Sequence, residues 1–399
     1  MEPKIRFKGF EGEWKTSTIG DFTTSFSGGT PTAGASEFYG GNIPFIRSGE
    51  IHESKTELFL TEAGLNNSSA KVVEKGTLLY ALYGANSGEV GISKIRGAIN
   101  QAILAIYPNK TVDKRFLANY LQSHKQKIVG ELLQGGQGNL SGALVKSISV
   151  TYPNNREQQT ISDYVDSLDS QISTATSRLA SLKQMKAASL QAMFPQEGET
   201  VPKIRFKGFE GEWTWLKLGD ISEQVKRKAP INSTAPVMMI SALNGFINQS
   251  EKYSDNNAGS SLANYTLLKK GELSYNHGYS KTRNFGSCFN LLVEEARIPF
   301  VYHSFRLIND NDSFYAYYLN SGTKDKDLKR LVSSTARMDG LLNISFKNYM
   351  GLSVPHPSLA EQQAIASYFT SLDRQISLQS QRLEKLKQIK SACLDKMFV

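Results

Sequence analysis

Two long stretches of the chain, 156–194 and 360–399, carry apolar residues at alternating spacings of four and three. In the first, the stripe is Ile161, Val165, Leu168, Ile172, Leu179 and Leu182, with Ala175 inside it and Met193 beyond; Lys186 and Ser189 soften it before Met193. In the second it is Ile365, Phe369, Leu372, Ile376, Leu383 and Leu386, with Met397 beyond. That spacing keeps the side chains on one stripe of a helix and predicts a coiled-coil seam. Up to the phenylalanine that ends each, neither stretch contains Gly or Pro. Each follows a proline-bearing turn, carries a glutamate (Glu157, Glu361) in its first turn where it suits the helix dipole, and gathers lysines in its last third. At ~1.5 Å per residue, ~39 residues make a rod of roughly 58 Å, longer than any small core. The pattern therefore predicts two long helices that pack on each other.

Between them the periodicity shortens and turn residues multiply. Gly28-Gly29-Thr30-Pro31 and Tyr39-Gly40-Gly41-Asn42 read as turns. Ile43–Arg47, Thr77–Tyr83 and Ala98–Tyr107 read as strands, and Phe116–Leu133 as a helix. The second half follows a similar order, with strands near Val237–Ile240, Glu272–Tyr275 and Phe300–Leu307 and a helix from Ser313 to about Val332. These segments predict mixed α/β domains.

The chain is written twice. PKIRFKGFEGEW occurs at Pro3–Trp14 and again, letter for letter, at Pro202–Trp213. The two long stretches share 21 identities in 39 aligned positions, from Arg156–Phe194 to Ala360–Phe398. Twelve identical residues in a row do not arise by chance, so the frame is a tandem duplication. The inserts it holds, 15–155 and 214–359, are unlike apart from short echoes such as Gly138-Asn139-Leu140 beside Leu342-Asn343-Ile344. One frame with two unlike inserts suggests one task performed on two different objects; a duplicated structural protein with drifted loops is the alternative. The expected divisions are a first domain at 1–155, a long helix at 156–194, a linker with the repeated segment at 195–213, a second domain at 214–359 and a second long helix at 360–399.

Composition adds constraints. The 399 residues are 40% hydrophobic and 21% charged, ordinary for a globular protein, and long enough for two or three cores. No apolar run approaches the roughly 18 residues of a membrane span, and the N-terminus has no apolar signal core. Cys288 and Cys393 lack zinc or redox spacing, so a cytoplasmic protein with reduced thiols is expected. The net charge of +9 points to an anionic partner, and it is uneven: residues 1–199 hold 20 Lys/Arg against 19 Asp/Glu, leaving 26 against 18 for the rest.

Catalytic motifs do not stand out. Gly278-Tyr279-Ser280-Lys281-Thr282 lacks the upstream glycine of a P-loop, and no Rossmann fingerprint or Asp/Asn-Pro-Pro-Tyr motif occurs. The five histidines have no metal-ligand spacing, so no metal site is expected. Nuclease-like triplets at Glu13-Trp14-Lys15 and Asp327-Leu328-Lys329 are of a kind common by chance, and Thr214 replaces the lysine in the duplicate of the first. Polar and basic residues on turns are plentiful instead. The candidates for contacting DNA are Arg47, Ser48, Tyr83, Asn86, Ser87, Asn100, Gln101, Gln137 and Asn139 in the first half. In the second they are Lys226, Arg227, Lys228, Asn276, His277, Tyr279, Lys281, Arg283, Asn284, His303 and Arg337. Arg, Asn and Gln make paired hydrogen bonds to purine edges, whereas Lys mostly holds phosphate. Asn276–Asn284 is the densest cluster. For each of these residues an ordinary solvated loop is the competing explanation, and Asn100-Gln101 also suits a turn before a strand.

The twice-written Arg-Phe-x-Gly-Phe-x-Gly-x-Trp and the Glu-Gln-Gln-x-Ile opening of each long stretch resemble the specificity subunits of type I restriction–modification systems. The resemblance spans essentially the whole chain. In the first insert it extends to Thr30-Pro31, Gly40-Gly41-Asn42-Ile43-Pro44, Ser68-Ser69-Ala70-Lys71, Tyr83-Gly84 and Asn100-Gln101-Ala102; in the second it rests mainly on Lys270-Gly271-Glu272-Leu273. It implies two mixed α/β target-recognition domains joined by two long antiparallel coiled-coil helices, an internal repeat with pseudo-two-fold character. It further implies a non-catalytic subunit on double-stranded DNA, reading one half of an interrupted site with each domain. The implied partners are two methyltransferase (M) subunits and motor–nuclease (R) subunits. S-adenosylmethionine, ATP and Mg belong to those partners and no cofactor to this chain. A self-sufficient DNA nuclease or methyltransferase, and a coiled-coil scaffold that binds only protein, are the rival expectations.

Overall fold

Residues 2–132, 139–230, 232–251, 262, 264–332 and 342–399 are described in the computed structural model. They form two compact units, 1–176 with 381–399, and 177–380.

In the first unit the chain runs β1 (Lys15–Thr18), α1 (Ile19–Phe22), β2 (Thr23–Ser27), β3 (Tyr39–Ile46), β4 (Leu58–Leu60), α2 (Glu62–Asn66) and β5 (Lys71–Val73). It continues through β6 (Leu78–Ala81), β7 (Val90–Ile92), β8 (Gly97–Ile99), β9 (Ile103–Pro108), α3 (Lys114–Ser123), α4 (Lys125–Leu132), α5 (Gly142–Lys146) and β10 (Ser149–Tyr152). The long helix α6 (Asn155–Ala192) follows. An antiparallel sheet has the order β2-β9-β6-β7, and a mixed sheet the order β4-β3-β8-β5, with β3 and β8 parallel. β1 pairs with β10, Lys15 opposite Tyr152, which brings the two ends of the insert together.

The second unit contains β11 (Thr214–Lys217), β12 (Ser222–Gln224), β13 (Met238–Ser241), β14 (Gly245–Asn248), β15 (Thr266–Lys269), β16 (Leu273–Asn276), β17 (Ser287–Asn290), β18 (Glu295–Ile298) and β19 (His303–Leu307). The helices α7 (Asp312–Leu319), α8 (Asp325–Leu331) and α9 (Phe346–Met350), strand β20 (Ser353–His356) and the second long helix α10 (Leu359–Lys396) complete it. Its main sheet, β12-β19-β16-β17, has the topology of the first unit's β2-β9-β6-β7, and β11 pairs with β20 as β1 does with β10. The remaining strands differ: here they form two separate pairs, β13-β14 and β15-β18.

Three expected elements are broken by local chemistry. The strand expected at Ala98–Tyr107 is β8 and β9, interrupted where the Asn100 side chain accepts the Ala102 N–H at 3.2 Å. The helix expected at Phe116–Leu133 is α3 and α4, separated at His124. The helix expected from Ser313 to about Val332 is α7 and α8, separated by a turn in which Gly322 takes φ +89°.

The duplicated frame is a latch. In the first unit the Arg6 guanidinium donates to both Glu157 carboxylate oxygens, at 2.8 and 2.9 Å, and to the Gly12 and Glu11 carbonyls. In the second, Arg205 donates to Glu361 at 2.7 and 2.8 Å and to the Gly211 and Glu210 carbonyls. The glutamate thus does more than favour the helix dipole: it is a buried counter-charge. The next residue of the Glu-Gln-Gln motif holds the loop before the domain's helix, Gln158 accepting from Asp113 N and Gln362 from Asn311 N. Gly9, Gly12, Gly208 and Gly211 all take positive φ, and each has open space where a side chain would begin, so backbone conformation alone explains these glycines.

Within each unit the start of one long helix lies against the end of the other. In the first unit Leu168, Ala175 and Leu386 form a buried cluster with Ile172, Leu383 and Ile389, and Lys390 pairs with Asp169. In the second, Lys186 pairs with Asp373 and Ser189 bonds Tyr368. Rising numbers on one helix meet falling numbers on the other, so the packing is antiparallel. Ile161, Val165, Leu182, Ile365, Phe369 and Leu372 are buried as the seam requires, and Leu179 and Ile376 are half-buried. Each helix ends in a Met-Phe pair sunk in a domain core. Phe398 packs on Phe116 and Tyr120, and Phe194 on Phe314, Tyr318 and Phe369.

Candidate nucleic-acid interface

Both units build the same turn at the same place. The hairpin that closes the main sheet carries residues 82–89 in the first unit and 277–286 in the second. The first residue of each turn accepts a backbone bond from the segment that precedes the last short helix: Leu140 N–H to the Leu82 carbonyl at 3.0 Å, Leu342 N–H to the His277 carbonyl at 2.8 Å. The short helix itself is capped alike, by Ser141 in one unit and Ser345 in the other. A rigid, duplicated base thus holds two turns of unlike sequence.

In the first unit Tyr83 bridges Asn139, which joins two of the expected residues directly. Asn86 ends a short 3-10 turn, and a side chain added at Gly49 would lie 3.5 Å from its Nδ2, so the Arg47–Gly49 segment is beside it. Ser87 is buried and donates to the Leu82 carbonyl at 3.3 Å, which removes it from the surface. Arg47 is held by Glu50 and Glu57, and those carboxylates, Glu50 foremost, raise its pKa. Ser48 opens the 3-10 turn that supplies Glu50. Asn100 is structural, since its side chain closes the turn between β8 and β9, and Gln101 accepts from the Thr30 hydroxyl. The sequence did not flag Glu89, whose carboxylate is held low chiefly by the Lys125 ammonium, with His52 also facing it.

In the second unit the expected cluster separates into anchors and free groups. Asn276 accepts from Gly278 N and donates to the Ile240 carbonyl. His277 meets the Leu342 and Val301 carbonyls through its two ring nitrogens and stacks on His303, centroids 4.9 Å apart. His303 meets the Ile344 carbonyl, and burial lowers its pKa. Arg283 bonds the Asn320 carbonyl, and desolvation lowers its pKa. Gly286 has φ +81° with the Asn276 carbonyl only 2.5 Å from a would-be Cβ, so no other residue fits there. Those anchors leave Tyr279, 60% exposed, with Lys281 and Asn284 at the exposed tip.

Lys226 and Lys228 are exposed beside β15, whereas Arg227 is tied to Glu272 at 2.8 Å and to the Leu267 carbonyl. The Lys-Gly-Glu-Leu signature therefore serves this ion pair. Gln137 and Arg337 lie outside the described residues. Cys288 is buried and its thiol is pushed up to about 12 by desolvation. Among the described residues no group of three or more His, Cys, Asp or Glu is placed to hold a metal ion. No helix among them is long and apolar enough to cross a membrane.

Comparison with known proteins agrees with this architecture. The family model for the type I restriction modification DNA specificity domain matches twice, at residues 11–184 and 210–388. The chain is 31% identical over 170 residues to the type I restriction enzyme MjaIX specificity subunit of Methanocaldococcus jannaschii, covering 39% of this chain and 38% of that protein. It is 24% identical over 184 residues to the EcoR124I/EcoR124II specificity subunit of Escherichia coli, covering 44% and 45%. The chain thus spans less than half the length of these curated relatives. The crystal structure of a type I restriction–modification system S subunit from M. genitalium aligns with a TM-score of 0.63 at 16% identity, over 100% of this chain and 99% of that one. A chain from a structure of the type I R-M system, determined for its complex assembly and conformational transition, aligns at 0.51 and 16% identity over 97% and 98%. At that identity the two structures speak for the fold. With both halves of its sequence matched by one model and both units built on one sheet topology, the chain belongs to the type I restriction modification DNA specificity domain family.

Proposed function

We propose that this chain is the DNA-recognition subunit of a type I restriction–modification complex and reads a bipartite, interrupted target with one half-site per unit. The observation that carries the reading is the pair of homologous hairpin turns. They stand on equivalent sheets and equivalent backbone anchors but present different side chains, as two readers of different half-sites must. In the second unit Tyr279, Lys281 and Asn284 combine a stacking surface, a phosphate-seeking cation and an amide able to pair with a base edge. The surplus of basic residues after position 199 supports a larger nonspecific phosphate attraction from that half.

On this reading the chain positions two methyltransferase subunits and the motor–nuclease subunits, and takes no part in bond making itself. S-adenosylmethionine, ATP and Mg act on those partners, and the complex works on DNA in the cytoplasm. The test is single-molecule sequencing of genomic DNA from cells with and without the gene, scored for N6-methyladenine. A two-part interrupted motif that vanishes with the gene is the expected result. Identical methylation in both strains, with an active partner methyltransferase present, would overturn the proposal.

A further inference from the structure

The two units differ in kind at one turn beside the hairpin. In the first unit the Leu82 N–H donates to the Ala102 carbonyl at 2.8 Å, and in the second the His277 ring Nε2 meets the Val301 carbonyl at 2.9 Å. Leu82 and His277 are equivalent, since their carbonyls accept the matching backbone bonds from Leu140 and Leu342. Ala102 and Val301 therefore stand at one position of the duplicated sheet, and Gln101 and Phe300 at the position before it. Both are exposed, but one is an amide and the other a phenyl ring, 58% exposed.

The backbone under Phe300 is fixed. The Tyr302 N–H closes the turn on the Pro299 carbonyl at 3.2 Å, and His277 pins it to the base of the hairpin. The preceding residue, Asn276, ties a third loop to the same end of the sheet, its side chain donating to the Ile240 carbonyl at 3.3 Å. That loop joins β13 to β14 and carries Leu243, 70% exposed. With Tyr279 on the hairpin, three loops bring exposed apolar groups to one end of the second unit. Exposed Lys281 is on the same hairpin, and exposed Lys228 pairs with Thr266, opposite Ile298 just ahead of the Phe300 turn. An apolar tip flanked by cations suits a DNA duplex: its phosphates take the lysines, and its major groove offers one apolar feature, the thymine 5-methyl group. A protein bound alike by both units would need like surfaces, and Gln101 against Phe300 is unlike.

We propose that Phe300 and Leu243 are specificity-determining residues of the second unit, reading thymine by its 5-methyl group in the major groove of that unit's half-site. Asn276 and His277 are positioning residues for them: their polar atoms are spent on holding the two loops in place. The inference rests on the half-site reading proposed above and deepens it. The half-site of the second unit contains at least one thymine whose methyl group is required, whereas at the equivalent position the first unit offers the hydrogen-bonding amide of Gln101.

The test uses the full-length chain co-purified with its host's methyltransferase subunit, and a duplex carrying the interrupted motif found by methylation sequencing. Exchange of residues 15–155 identifies the half read by the second unit as the half left unchanged. Each thymine of that half, on either strand, is replaced singly by deoxyuridine, which removes the methyl group and nothing else. At least one replacement is expected to weaken binding about fourfold, the worth of one buried methyl group. Phe300→Ala and Leu243→Ala are each expected to weaken binding to the thymine duplex and to bring the thymine-to-uracil affinity ratio at one such position to about one. Phe300→Leu, which keeps an apolar contact, should retain the preference. Variants that weaken both duplexes alike and leave the ratio intact would have a structural role only, which overturns the proposal. A half-site of G·C pairs alone, or indifference to uracil at every position, would overturn it too. Were indifference accompanied by a Phe300-dependent rise in 2-aminopurine fluorescence, the ring would be a wedge between base pairs instead. A complex with no sequence preference at all would overturn the half-site reading itself.

Discussion

Trp14 and Trp213 close the same motif and are both buried, but their indole N–H groups fare differently. Trp213 donates to Glu361 at 3.1 Å, whereas the Trp14 nitrogen is buried with no hydrogen-bond partner among the described residues. A hydrogen bond to a charged acceptor contributes about 1.5–3 kcal/mol, and removing an orphaned donor costs nothing of that kind. Trp213→Phe is therefore expected to destabilise its unit by about 1.5–3 kcal/mol more than Trp14→Phe destabilises the other, measured by urea unfolding with a fluorescence probe. Equal losses would refute the assignment. On the proposed reading surface, Lys281 and Tyr279 should behave differently from each other. Lys281→Gln is expected to weaken binding to all sequences alike and to lower the slope of log affinity against log salt by about 1. Tyr279→Ala is expected to cost about 1–3 kcal/mol on the cognate half-site and to change the selectivity there, read by binding to a set of single-base variants.

The long helices work at both ends and along their length. Near the ends their apolar stripes, still in contact with each other, also enter the domain cores, so Phe194→Ala should cost about 3–5 kcal/mol, as for any large buried aromatic. Along the length the two seams are not copies: Gln379 is buried at the position where the first helix has Ala175. A polar residue in a seam lowers stability and favours a single register. If the helices set the gap between half-sites, inserting one turn, ~5.4 Å, into one of them should widen that gap by one or two base pairs at ~3.4 Å each. The methylation motif of such a variant reports the spacer directly, and an unchanged spacer would remove the helices from that role.

For the whole molecule, the frame and the inserts are separable. β1–β10 and β11–β20 bring the ends of each insert together, so an insert can be exchanged without disturbing the latch. Replacing residues 15–155 with the corresponding domain of a relative is expected to change one half of the methylated motif and leave the other half intact. A change in both halves, or in neither, would refute independent reading.

The sequence by itself determined the duplication, the two long helices and their seam, because a period of seven and an identical dodecamer are local patterns that survive any tertiary arrangement. Of the residues it offered for DNA contact in the second unit's turn, Tyr279, Lys281 and Asn284 are exposed. It was blind to the sorting among the candidates. Asn276, His277, Arg283, Arg227 and Ser87 have the chemistry of DNA contacts, yet they spend it on carbonyls and carboxylates elsewhere in the fold. The Arg6–Glu157 and Arg205–Glu361 latches were present as letters in both repeats, but pairing them requires contacts across 151 and 156 residues. Hydrogen-bonding capacity is a property of a residue type, whereas whether it faces inward or outward depends on partners that only the folded chain brings within reach. That is why tertiary structure alone decided which polar side chains hold the fold and which are left exposed at the surface.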